Sequence, residues 1–170
     1  AGMFDEFGGL PLHPLVIHVV VLAIPLTTVL AFAFLVSRLR AWTRWVLALV
    51  AVGALGATLV AKESGEALQA ALGITPDLQP IGPLIERHET LANQLVWLVA
   101  AVAVLGVLAS VLVGRGRGER TGVRRGLDVA LPIALVVVSA VASFWAYRVG
   151  DLGARAVWNA DGSRNYQVEG

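Results

Sequence analysis

Four runs of this chain contain no charged residue. They cover residues 15–36, 45–61, 90–114 and 129–147, with lengths of 22, 17, 25 and 19. A helix needs about 20 apolar residues to cross the hydrocarbon core of a bilayer. A chain this short could not bury four such helices in its own interior. The pattern predicts an all-α fold, an integral membrane four-helix bundle with spans at about 14–36, 45–62, 88–113 and 129–149. Residues 1–12 read as an N-terminal segment, 13–158 as one membrane domain and 159–170 as a weakly ordered polar tail. The first run is too long for a signal peptide, and acidic residues precede it rather than basic ones.

Between the spans, polar positions fall unevenly. The loops after spans 1 and 3 carry Arg38, Arg40, Arg44, Arg115, Arg117, Arg120, Arg124 and Arg125, against Glu119 and Asp128. Short basic loops stay on the cytoplasmic side. Both termini and the loop between spans 2 and 3 are therefore expected outside, in a multi-pass protein of a bacterial plasma membrane. Beside a span, an arginine cluster marks topology and contact with anionic lipid, so no nucleic-acid partner is expected.

Residues 62–89 read as a long irregular outer loop. GEALQAALG forms a short amphipathic helix in it, ended by Gly73, and residues 150–158 form a short interfacial helix. Pro25 predicts a kink in the first span, with Thr27 or Thr28 serving the carbonyl it frees. Small residues at Gly53, Gly56 and Ala57, and at Ser139, Ala140 and Ser143, predict close helix packing and leave room for a homodimer.

Candidate chemistry gathers at one end. Composition is 57% hydrophobic with no cysteine, which excludes disulfides, iron–sulfur clusters and thiolate metal sites. The three histidines are His13, before span 1, His18, about a turn inside it, and His88, at the start of span 3. An ionisable side chain within a span is costly and points to function. His13 also reads as a helix cap, with Pro14 in the favoured first turn. Asn93 and Gln94 read as interhelical hydrogen-bonding groups, with Asn93 able to orient a histidine.

Three functional readings follow. In the first, His18 and His88 are axial ligands of one haem b, passing electrons at the outer face to a redox partner protein. In the second, His13, His18, His88 and Asp151, with Glu66 as a substitute, hold one divalent metal, zinc, copper or iron. In the third, the histidines pair with Glu63, Glu66, Glu86 and Asp151 in a cofactor-free polar network of a membrane scaffold or accessory subunit. No nucleophile-and-base signature appears, so enzymatic activity is not expected. No polar stripe crosses all the spans, so neither is a channel.

The stretches GLPLHPLVIHVVVLAIPL, SGEAL, ERHETLANQL and GDLGARAVW resemble the bacterial membrane-protein family known as domain of unknown function 2231, over about residues 9–158. The resemblance implies a four-span protein. Fusion of relatives to Rieske or cytochrome c-type domains implies a place near electron transfer. Many relatives have a Gly-His-x-Gly pattern after span 4, where this chain has Asp151. Aspartate there suits a borderline ion such as zinc, or a carboxylate that orients a ligating imidazole.

Overall fold

The computed structural model describes residues 6–113 and 122–165. A two-residue ladder opens the chain, with β1 (Glu6–Phe7) antiparallel to β2 (Leu10–Pro11). Gly8 and Gly9, at φ 62° and 80°, make the turn. Positive φ at both turn residues matches the right-handed twist of a hairpin. Four helices follow: α1 (Leu12–Leu35), α2 (Arg40–Ala71), α3 (Ile81–Leu112) and α4 (Gly122–Trp158). Each is long and apolar enough to cross a membrane. The all-α bundle predicted by the charge-free runs is the observed fold.

The helices form a ring. α1 and α3 each pack against both α2 and α4, which leaves α1 opposite α3 and α2 opposite α4. Large apolar side chains point outward, as Leu22, Leu49 and Trp97 do. Lipid is as apolar as these side chains, so burying them gains little and close packing decides the interior. The interior is accordingly lined mostly by small and β-branched residues, with Phe34, Leu47 and Leu135 among the few larger ones. Around its midpoint Ile24, Thr27, Ala54, Val99, Val102, Ser139 and Ala142 surround a gap with no room for a water molecule.

Several local expectations are corrected. The long loop shrinks to residues 72–80. GEALQAALG is not a separate helix but the continuation of α2. It ends at Gly73, at φ 63°, where the Ile74 N–H donates to Gln69 O and the Gly73 N–H to Ala70 O. This paired closure is the Schellman motif. Residues 150–158 likewise continue α4. At 1.5 Å per residue, helices of 32 and 37 residues run about 48 and 56 Å, well past a hydrocarbon core of about 30 Å. Their polar ends stay helical beyond the apolar runs that marked the spans.

Pro25 sits within an uninterrupted α1. Thr27 donates to Ala23 O, and Thr28 pairs with Ser143 of α4 at 2.9 Å, so neither hydroxyl serves the carbonyl of Val21 that Pro25 frees. After α4 the described tail folds back on itself. Asn159 exchanges two hydrogen bonds with the Arg164 backbone. Bonds from the Ser163 N–H and hydroxyl hold the Asp161 carboxyl below its usual pKa. Residues 166–170 lie outside the described residues.

Gly53 and Gly56 do not pack helices together. Both are exposed, and a Cβ added at either would meet nothing within 4 Å. Ala51, Ala54 and Thr58 face inward instead, and Gly106 approaches Ala51. Gly53→Ala and Gly56→Ala should therefore leave the melting temperature in detergent unchanged or raise it. Alanine is about 0.8–1.0 kcal/mol better than glycine in a helix interior. A drop at either position would reveal a neighbour there.

Two of the arginines in the basic cluster are structural. Arg40 Nε donates to Phe34 O at 2.9 Å and its guanidinium lies over the Phe34 ring. Arg44 donates to Val113 O at 3.1 Å. They satisfy carbonyls at the C-terminal ends of α1 and α3, which a helix cannot serve itself. Arg115, Arg117 and Arg120 lie outside the described residues.

Candidate functional site

The histidine end is built from helix termini that overlap. α1 begins at Leu12, so His13 is already helical and caps nothing; the residue before the helix, Pro11, offers no side-chain cap. Its ring reaches across to α2, where Nδ1 lies 2.8 Å from Ala61 O. α3 begins seven residues before His88, which is thus two turns inside it. His88 Nδ1 lies 2.9 Å from Val149 O of α4. A carbonyl can only accept, so each Nδ1 carries the proton, and each Nε2 of the neutral ring keeps its lone pair.

Each ring rests on a glycine of the helix that holds it. A Cβ at Gly65 would lie 3.1 Å from the His13 ring, and one at Gly153 would lie 3.2 Å from the His88 ring. Any larger residue at either position would push the imidazole aside. The two rings then meet between α1 and α3, with centroids 6.5 Å apart and planes at 84°.

The other sequence candidates lie elsewhere. His18 is exposed on α1, its Nδ1 2.6 Å from Pro14 O of the same helix. Five residues along a helix turn the side chain about 140° from His13, so the two cannot face one point. Asp151 pairs with Arg155 at 2.9 Å, and Glu66 pairs with Lys62, each one turn away on its own helix. Among the described residues, no group of three or more His, Asp or Glu side chains is arranged to hold a metal. The set of His13, His18, His88 and a carboxylate is therefore not brought together. Gln94 accepts a hydrogen bond from the Trp145 indole across to α4, as an interhelical amide should, while Asn93 is exposed and orients no histidine.

Sequence reasoning missed the carbonyls of Ala61 and Val149 and the glycines beneath the rings. The carbonyls have no signature. The glycines did have one: each sits inside a helical stretch, where glycine is costly unless something approaches closely.

Four apolar helices, with a polar constellation at one end, define a multi-span helical membrane protein. The family described as "Predicted membrane protein (DUF2231)" matches residues 9–163. The chain belongs to that family. No curated protein and no solved structure matches it.

Proposed function

We propose that His13 and His88 would together hold one transition-metal centre, haem iron first, and that the protein carries electrons at the outer face of a bacterial plasma membrane. The observation that carries this reading is the spacing of the rings. With a metal–nitrogen distance of about 2.0–2.1 Å, one ion between two facing ring nitrogens could bridge these rings, whose centroids are 6.5 Å apart. A four-ligand zinc site would also need two more donors, and Asp151 and Glu66 have other partners.

The hydrogen bonding supports the same reading. A metal-ligating histidine almost always donates its other ring N–H to a carboxylate, carbonyl or water, which fixes tautomer and orientation. His13 and His88 both do so, to carbonyls of different helices. Haem iron with two histidine ligands supplies a reversible one-electron couple. The chain's own part is to fix both rings by their Nδ1 hydrogen bonds, which leaves each Nε2 free to ligate.

The test is the visible spectrum of the protein, purified in detergent without a polyhistidine tag, oxidised and dithionite-reduced, with elemental analysis of the same sample. A Soret band with sharp reduced α and β bands is expected. About one copper per chain without a Soret band would keep the ligand pair and replace haem with a bare ion. A colourless, metal-free protein, still so after expression with added haem and copper, would overturn the reading. It would favour the cofactor-free scaffold, in which the Nδ1–carbonyl bonds simply clip α1 to α2 and α3 to α4.

A further inference from the structure

We infer that the protein is a tandem duplication of one helical hairpin, and that the histidine pair lies on the pseudo-two-fold axis relating α1–α2 to α3–α4. The site suggests this first. His88 lies 75 positions after His13, and each donates to the neighbouring helix of its own hairpin. The two accepting carbonyls, Ala61 and Val149, are 88 positions apart, and so are the glycines beneath the rings, Gly65 and Gly153. Carbonyl and glycine are four residues apart in both hairpins. One half-site occurs twice.

The core follows the same two offsets, although nothing about the histidines requires it. A shift of 75 carries Val20, Ile24 and Thr27 of α1 onto Leu95, Val99 and Val102 of α3, and all six are buried. It also carries Ala31 onto Gly106 and Phe34 onto Ala109, again buried onto buried. A shift of 88 carries Leu47, Ala51 and Ala54 of α2 onto Leu135, Ser139 and Ala142 of α4, each almost fully buried. The central gap is lined by members of these pairs from all four helices. The ring order closes the symmetry: each helix touches its own hairpin partner and one helix of the other hairpin.

The duplication also accounts for two residues the site left over. Asp151 is the counterpart of Glu63, a carboxylate two residues before the glycine in each repeat, rather than a displaced ligand. His18 is the counterpart of Asn93, and both are exposed. Both repeats run the same way through the bundle, so the axis is parallel to the helices. A guest on that axis is held by two equivalent ligands, one per hairpin. This last step rests on the metal reading above; the repeat itself does not.

The test compares Gly65→Ala with Gly153→Ala in the full chain, by melting temperature in detergent and by titration with haem. Alanine should normally favour a helix over glycine, so a fall in melting temperature reports the displaced imidazole. Both variants should fall by the same amount, and both should bind haem about 10–100-fold more weakly, as expected when a ligand's support is disturbed. A fall at one glycine with no change at the other would overturn the duplicated site. Should either variant not fold, His13→Gln and His88→Gln make the same comparison. A native protein that takes up neither haem nor copper would end the metal reading alone, and the melting temperatures would still decide the duplication.

Discussion

His13→Ala and His88→Ala are each expected to abolish binding of the proposed metal centre, and His18→Ala is expected to leave it in place. Removing the support of a ligand typically costs 10–100-fold in metal affinity, and removing one of only two protein ligands costs at least about as much. His18 sits on the exposed face of α1 with its Nδ1 on its own helix, and touches neither ring of the pair. Unfolding does not mimic the result. The Ala61 carbonyl that His13 vacates still accepts from the Ser64 hydroxyl at 3.1 Å, so the lost bond should cost only about 1 kcal/mol. Spectra and elemental analysis of the three variants, with melting temperatures alongside, check this. Retention in His13→Ala with loss in His18→Ala would restore the pairing of His18 with His88 drawn from the sequence.

Gly82→Ala should be the most damaging single methyl group in the molecule. Gly82 is buried at the start of α3, and a Cβ there would lie 2.4 Å from the carbonyl oxygens of both Thr75 and Pro76. Those atoms are backbone and have no rotamer to change. They belong to the short connection that positions α3, and hence His88, against α2. Overpacking a close-packed site costs typically 1–3 kcal/mol, and a clash with two carbonyls belongs at the upper end. For a chain of this size that lowers the melting temperature by about 5–10 °C. Limited proteolysis within residues 72–80 should accelerate too. An unchanged melting temperature would show that the connection can move aside freely.

Much of the bundle was legible because the bilayer imposes it. Every backbone group in hydrocarbon must be satisfied within the segment itself, so a charge-free run of sufficient length has one solution, whatever its neighbours are. Where the runs ended, that rule ended too. GEALQAALG read as a separate short helix in an outer loop, yet it continues α2 and sets Gly65 beneath His13. The glycines at 53 and 56 read as packing surface, yet face outward, because the inward face of α2 is fixed by the alanines one turn apart. Local spacing names the candidates for an interface, and the rotation of the whole helix selects among them.

The histidines divide the same way. Length and hydropathy alone put all three toward one end of a four-helix membrane bundle, because span boundaries follow from them. Once α1 is seen to begin at Leu12, His13 and His18 lie five residues apart on one helix and cannot both face the same point. That His13 is the one turned inward is settled by how the helices pack. That choice depends on the rotation of α1, and on contacts with α2 and α3 made by residues 48 and 75 positions away along the chain. A hydrogen bond to a carbonyl leaves no mark in the side-chain sequence.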